Sequence, residues 1–450
     1  MSIYRAYDIR GIYGSEISGE TAEKIGKAYG SKITGKVAVG QDVRLSSPKL
    51  SQALIKGILS TGVDVVDVGV VPTPLLYYSI IHLGLDGGVM LTASHNPPEY
   101  NGFKLCKKGA MTYYGDEITA IGEDVGKGVF RKGFGKYEKK DVADDYIKYV
   151  MERIKLKRKI KVVLDCANGT AGAIAPRLFK ELGCEVIELF SEADGNFPNH
   201  PADPTVDTNL KELIETVKKT GADIGLAYDG DSDRAGFVDE KGGIIRGDQA
   251  LAIFSREILA ANPGAKIIFE VKCSLALQED ILSHGGKPIM YRTGHSFIKK
   301  KIKEENAKIA GEMSGHFFFA DDFPGFDDGI YASARMVKIL SNSGEKMSEI
   351  VDTIPKYHST PEIRVTVPEE IKFQLVEDVK KDFQNKKEFE LITVDGVRAQ
   401  NKDGWGLIRA SNTGPKLILR FEGKTQENLE NIKNTFRKTF EKYPHLKDKI

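Results

Sequence analysis

Three related α/β units followed by a smaller α+β unit is the architecture this sequence predicts, and three observations predict it. The chain has 450 residues, more than one hydrophobic core usually supports, which points to three or four domains of ordinary size. Before about Tyr357, one order of segments occurs three times: a β-branched strand, a polar loop opening a helix, a glycine, then a second strand. After that point the texture changes to alternating strands separated by turn glycines.

The first strands of the repeat are Val37-Ala38-Val39-Gly40, Val162-Val163-Leu164-Asp165 and Ile267-Ile268-Phe269-Glu270. The second strands lie in GVDVVDVG from Gly62, GCEVIELF from Gly183 and GGKPIMY from Gly285. Apolar runs this short, alternating with helix-length segments, predict mostly parallel, buried strands. A third strand in each unit runs into a polar loop: VMLTASHN to Asn96, IGLAYDGDSD to Asp233, and IAGEMSGH to His316. In open α/β sheets the ligand sits beyond the carboxyl ends of the strands, so one cleft is expected to collect all three loops. The last unit reads EIRVTV, a charged helix, LITVDGVRAQ, WGLIRASNTG and PKLILRF, an antiparallel pattern.

Composition narrows the function classes. With 65 basic and 64 acidic side chains the net charge is +1, which makes no electrostatic case for nucleic acid as a partner. Cys106, Cys166, Cys184 and Cys273 form no CxxC pair, so neither a zinc knuckle nor a disulfide framework is expected, and free thiols suit a reducing cytosol. The start, MSIYRAYDIRGIYG, lacks the apolar stretch of a signal peptide, and a cytoplasmic location is expected. Val68 to Leu85 carries no charged residue, but Pro72, Pro74 and Gly84 interrupt it, so it reads as strand, turn and buried helix rather than a membrane span.

Four of the loops carry chemistry. Asp229-Gly-Asp-Ser-Asp233 spaces carboxylates so that a loop at a strand end turns all three toward one hard cation, Mg²⁺ or Ca²⁺ rather than zinc. Glu240 stands twelfth from Asp229 as in an EF-hand, but Arg234 occupies the turn-glycine position and a strand precedes, which argues against calcium sensing. Thr92-Ala-Ser-His-Asn-Pro-Pro98 sets a hydroxyl at the end of an apolar strand, with two prolines fixing the way out. By itself Ser94 reads equally well as a turn or cap residue, whereas for the acidic loop a solvated turn is the lesser alternative to a metal site.

Arg409-Ala-Ser-Asn-Thr-Gly414 has the composition of a phosphate grip, although an ordinary hairpin turn has similar residues. Gly311-Glu-Met-Ser-Gly-His316 offers a carboxylate, a hydroxyl and an imidazole for sugar hydroxyls. His295, Lys104 and Arg10 are candidate proton shuttles or phosphate contacts, each commonly structural when met alone.

Taken in order, YDIRG, TASHNPP, DGDSDR, GEMSGH and RASNTGP resemble the α-D-phosphohexomutase family over essentially the whole chain. The resemblance implies four domains around a central cleft: three related mixed-sheet α/β/α domains (1–148, 149–247 and 248–357) and a C-terminal α+β domain (358–450). It implies a phosphorylated Ser94, and one Mg²⁺ held by Asp229, Asp231, Asp233 and the Ser94 phosphate. It maps sugar recognition onto Glu312, Ser314 and His316, and the distal phosphate onto Arg409, Ser411, Asn412 and Thr413. Arg10, Lys104, Arg234 and His295 then serve the reacting phosphoryl group and its proton traffic.

Asn412 resembles the phosphomannomutase/phosphoglucomutase branch, where phosphoglucosamine mutases usually have glycine; Ser232 and Gly414 depart from residues common in the family. The activity implied is reversible transfer between C1 and C6 of mannose or glucose phosphates through a 1,6-bisphosphate. Glucose 1,6-bisphosphate is the expected activator, and no protein partner is implied. A phosphoglucosamine mutase and a magnesium-dependent sugar phosphatase are the alternatives.

Overall fold

Each of the first three units assembles four strands in one spatial order, second, first, third, and then an antiparallel return strand. The computed structural model describes residues 3–411 and 414–450. In the first unit these strands are Asp64–Val70, Lys36–Gln41, Gly87–Leu91 and Tyr100–Lys107, extended by Ile9–Ile12, Met111–Thr112 and Tyr137–Lys139 into a seven-stranded sheet. The second unit repeats the order with Glu185–Leu189, Lys161–Asp165, Ile224–Tyr228 and Ala235–Asp239. The third does so with Lys287–Tyr291, Lys266–Glu270, Ile309–Gly311 and Phe317–Phe319. The first three strands of each set are parallel, as the apolar runs predict; the return strand makes each sheet mixed. Each candidate loop of these units is therefore the turn between a third strand and its return strand.

The parallel strands are apolar along their length because helices cover both faces. In the first unit the helices Gly19–Lys32 and Ser47–Leu59 cross so closely that a Cβ on Gly26 would lie 2.3 Å from the Leu54 carbonyl oxygen, and one on Gly57 2.2 Å from that of Glu23. Only glycine permits that crossing. The uncharged stretch after Val68 resolves into the end of a strand at Val70 and the buried helix Thr73–His82, and among the described residues no helix is long and apolar enough to cross a membrane.

One apolar cluster runs from Leu76 and Tyr77 through Tyr146 and Leu178 to Phe254 and Tyr331, so the three units share a core. The helix Ala143–Arg153 buries Tyr146, Ile147 and Val150 in it and passes unbroken through residue 148. The last unit is different: a six-stranded antiparallel sheet with the helices Lys372–Gln384 and Gln426–Phe440 packed on it through Phe383, Phe421 and Phe436. Its core is its own, and Trp405 joins it to Val271 and Leu275 of the third unit.

Candidate active site

The buried strand Gly87–Leu91 delivers Ser94, whose backbone takes φ 50°, a left-handed conformation that costs a non-glycine residue about 1 kcal/mol. The turn is held by contacts on every side. Thr92 Oγ1 accepts the Ser94 N–H at 2.8 Å. Arg44, fully buried, donates to the carbonyls of Ser94, Asn96 and Pro97 at 2.7, 2.6 and 2.6 Å, and its Nε to Asp42 at 3.0 Å. His95 Nδ1 lies 3.1 Å from Ser94 Oγ, and burial pushes that ring well below the usual histidine range. Arg10 reaches the same loop, donating to Asn96 Oδ1 at 2.7 Å while Asp8 holds its other side.

From the second unit, Asp229, Asp231 and Asp233 arrive fully buried with carboxylate oxygens all within 4.8 Å of one another. Ser232 between them adopts φ 63°, which turns the acidic loop back on itself. Ser94 Oγ donates to Asp229 Oδ2 at 2.6 Å. Lys104, on the return strand of the first unit, donates to Asp231 Oδ2 at 2.6 Å and also bonds Asp233. Thr73 Oγ1 donates to Asp231 at 2.6 Å, and the Arg234 backbone N–H to Asp229 at 3.2 Å.

These three carboxylates face two cations, Lys104 and Arg234, with Arg234 Nε 3.6 Å from Asp229. Burial, then the charges of Asp233 and Asp231, push Asp229 well above the usual carboxylate range. Burial opposes ionisation of Asp233 as well, but Lys104 and His316 hold it well below that range. Asp231 Oδ1 and Asp233 Oδ1 are buried oxygens without a hydrogen bond among the described residues. Three clustered carboxylates that include buried oxygens without a hydrogen bond are what an oxygen-seeking divalent cation requires, so the residues present fit a metal of the Mg²⁺ type. Burial would strip Lys104 of its proton, but Asp231, Asp233 and Asp327 keep it charged, which suits it to neutralising negative charge rather than accepting a proton.

The third unit closes the ring. His316 sits between Glu312, 3.0 Å from Nδ1, and Asp233, 3.3 Å from Nε2, with Ser314 Oγ also 3.0 Å from Nδ1. Burial works against its charge, yet Asp233 and Glu312 outweigh burial and carry it up to about 9. His295 stacks on His316 with ring centroids 5.8 Å apart and lies 3.4 Å from Asp327, and burial lowers it, leaving a neutral imidazole near pH 7. Asp327 also pairs with Lys299 at 2.7 Å.

Arg409, at the end of the strand Gly404–Ala410, is buried; Asp395 accepts from its Nε at 2.9 Å, and its Nη2 has no hydrogen-bond partner among the described residues. Lys372 donates to the carbonyls of Ser411 and Gly414 at 2.7 and 3.2 Å, spanning the loop between them. Asn412 and Thr413 lie outside the described residues. Lys272, its side chain 12% exposed between Glu270 and Glu362 at 3.4 and 3.2 Å, adds a cation that feels both Arg409 and Glu312.

The structure thus brings Ser94, Lys104, the acidic triad, Arg234 and His316 into one contact network, which Glu312, Ser314 and His295 enter through His316. Arg10 joins through Asn96. Sequence reasoning missed Arg44, His95, Lys272, Asp327 and Asp395. His95 stands beside Ser94 in the chain and was legible there; the others act through backbone carbonyls or residues far off in sequence, and no local motif marks them.

The sequence matches all four domain models of phosphoglucomutase/phosphomannomutase: α/β/α domain I over residues 1–132, domain II over 144–243, domain III over 246–357 and the C-terminal domain over 362–439. It is 49% identical over 440 residues to the phosphomannomutase/phosphoglucomutase of Pseudomonas aeruginosa, covering 97% of this chain and 95% of that protein. It is 45% identical over 452 residues to a phosphoglucomutase of Neisseria gonorrhoeae, covering 99% and 98%. The crystal structure of a phosphoglucomutase/phosphomannomutase family protein from Burkholderia thailandensis superposes with a TM-score of 0.93 at 43% identity, covering 98% of this chain and 97% of that one.

Proposed function

Because the chain belongs to the phosphoglucomutase/phosphomannomutase family, we propose that it interconverts the 1- and 6-phosphates of mannose and glucose, with Ser94 as the phosphoryl carrier. The observation that carries this reading is the hydrogen bond of 2.6 Å between Ser94 Oγ and Asp229, within a buried cluster of three carboxylates, Lys104 and Arg234. A hydroxyl so placed is rigid and surrounded by the charges that phosphoryl transfer requires.

Phospho-Ser94 gives its phosphoryl group to the free hydroxyl of a hexose monophosphate. The bond from Ser94 Oγ to phosphorus breaks, a bond from the sugar oxygen to phosphorus forms, the sugar hydroxyl proton passes to a base, and Ser94 Oγ keeps the electron pair and takes up a proton to leave as the hydroxyl. His295, which with His95 is one of two neutral imidazoles in the site, suits that proton. Glu312, Ser314 and protonated His316 bind sugar hydroxyls, and Arg409 and Ser411, with Asn412 and Thr413, hold the phosphate that is not reacting. The 1,6-bisphosphate turns around in the cleft and returns the other phosphoryl group to Ser94, so no phosphate is consumed.

Asp229, Asp231 and Asp233 would hold Mg²⁺, which would neutralise charge on the transferring phosphoryl group. Arg234, Lys104 and Arg10 flank the same charge. Glucose 1,6-bisphosphate restores phospho-Ser94 after accidental hydrolysis. Four cysteines without a disulfide fit a cytoplasmic setting.

The test is conversion of glucose 1-phosphate and mannose 1-phosphate with Mg²⁺ and trace glucose 1,6-bisphosphate, following free phosphate in parallel. Conversion of both sugars without phosphate release supports the reading. Stoichiometric phosphate release makes the protein a phosphatase, and turnover of glucosamine phosphate alone shifts the substrate.

A further inference from the structure

Asp395 lies in the turn between the strands Glu390–Ile392 and Val397–Asn401, outside the reacting groups, yet one of its oxygens joins two units. Asp395 Oδ2 accepts from Arg409 Nε at 2.9 Å and from the backbone N–H of Thr293, in the third unit, at 3.0 Å. Thr293 Oγ1 donates to Glu270 at 2.6 Å; the next N–H, that of Gly294, donates to Glu312 at 2.7 Å; the next residue is His295, which faces Asp327. Three consecutive residues are thus each tied to a different carboxylate. The turn is also pressed onto the arginine strand: a Cβ on Gly396, at φ 79°, would lie 2.3 Å from the Ile408 carbonyl oxygen and 2.6 Å from Arg409 Cβ. No side chain fits there, so Asp395 and Arg409 keep a fixed relation.

The rest of the attachment is broad and of another kind. Trp405 is buried against Val271 and Leu275, Arg398 donates to the carbonyls of Val271 and Cys273 at 2.8 and 2.7 Å, and Arg420 to that of Lys272 at 2.6 Å. Glu422 accepts from the Leu275 N–H at 2.8 Å. That face anchors the C-terminal unit to the third. Asp395 is a second, single-residue joint, placed where the phosphate grip meets the segment leading to His295.

We infer that Asp395 is a positioning residue that aligns the Arg409 guanidinium for phosphate and, through Thr293, ties that grip to the seating of Gly294 and His295. The inference rests on Arg409 binding the non-reacting phosphate. With Nε occupied by Asp395, the plane of the guanidinium is set, and the edge formed by its two Nη atoms is the one left to meet an anion. The same oxygen holds Thr293, so the C-terminal unit is in place when Glu312 and His295 are arranged.

The test is steady-state kinetics with mannose 1-phosphate for Asp395→Ala, Asp395→Asn, Arg409→Met and the Asp395→Ala/Arg409→Met pair. Loss of the carboxylate leaves two donors short of a partner, so Asp395→Ala is expected to raise KM about tenfold and lower kcat about tenfold. In the Arg409→Met background it should raise KM no further, because the guanidinium it aligned is gone, and should still lower kcat, because Thr293 is still released. Asp395→Asn keeps an acceptor oxygen and should recover most of kcat but less of KM; it decides the matter should the alanine variant not fold.

Wild-type KM and kcat in Asp395→Ala, or KM losses that multiply in the pair, would overturn the inference while an impaired Arg409→Met leaves the phosphate grip standing. An Arg409→Met enzyme with unchanged KM would overturn both.

Discussion

On the reading proposed above, the cluster around Ser94 and the loop at Arg409 both manage phosphate charge, and they are built in different ways. Lys104 is bound to two carboxylates, Arg44 spans four contacts behind the serine loop, and His316 bridges Glu312 and Asp233. These contacts cross all three α/β units, which share one apolar core. Arg409 instead keeps a buried Nη2 without a partner among the described residues, and it stands on a unit with a core of its own. Groups that must meet a transition state are immobilised beforehand, because their reorganisation would otherwise add to the barrier. On the same reading, a group that receives either phosphate of a turning sugar keeps a donor to spare, on a unit with its own core.

The contrast can be broken at its fixed end first. Ser94→Ala removes the carrier oxygen, so mutase activity should fall at least about 10⁴-fold, and no phosphate should transfer to the protein from labelled glucose 1,6-bisphosphate. Persistent activity or labelling would relocate the carrier. Next comes the acidic triad: chelation of divalent metal, or Asp231→Asn, should lower kcat about 10²- to 10³-fold, with excess Mg²⁺ restoring the chelated wild type but not the variant. Equal rescue of both would remove Asp231 from the ligand set.

At the adjustable end, Arg409→Met should raise KM about 30- to 100-fold through loss of charge-assisted hydrogen bonds, with kcat falling far less than in Ser94→Ala. A loss confined to kcat would mean that Arg409 belongs with the reacting groups and the contrast is wrong.

A control at a residue that makes none of the proposed catalytic or phosphate contacts should give the smallest effect. Asp328 caps the helix Gly329–Ser343 by accepting the Tyr331 N–H at 2.9 Å, and it accepts the Tyr146 hydroxyl at 2.8 Å. Burial raises it to about 7, above its value in an unfolded chain, so the folded state retains the proton more tightly. The stability this supplies is complete below about pH 4 and is lost as pH rises through about 7. Asp328→Asn keeps the cap and never ionises, so its stability advantage over wild type should grow by about 1–3 kcal/mol between pH 4 and pH 8 in urea melts. Parallel pH profiles for the two proteins would show that Asp328 titrates normally.

Local pattern carried much of this molecule. The three strand–helix repeats, the antiparallel last unit and the ends of strands at which Asn96, Asp233 and His316 lie were all readable, because apolar runs and turn glycines act over a few residues. The return strands and the closing helix Gln426–Phe440 were not singled out; the latter reads as another charged segment until Phe436 is seen against Phe421 and Phe383. Of the candidate residues, Ser94 and the acidic triad stood out through spacing. Arg44 did not, since guanidinium bonds to backbone carbonyls leave no trace in residue types.

What the sequence by itself determined was the inventory: which loops end strands, which side chains they carry, and that three units repeat. What only the tertiary structure decided was which of those groups meet. That Lys104 reaches Asp231 and Asp233, 127 and 129 residues away, and that Asp395 ties Arg409 to Thr293, are outcomes of how separate sheets pack. Strand and turn preferences are local energies, whereas the juxtaposition of buried charges depends on the shared core that brings distant loops to one cleft.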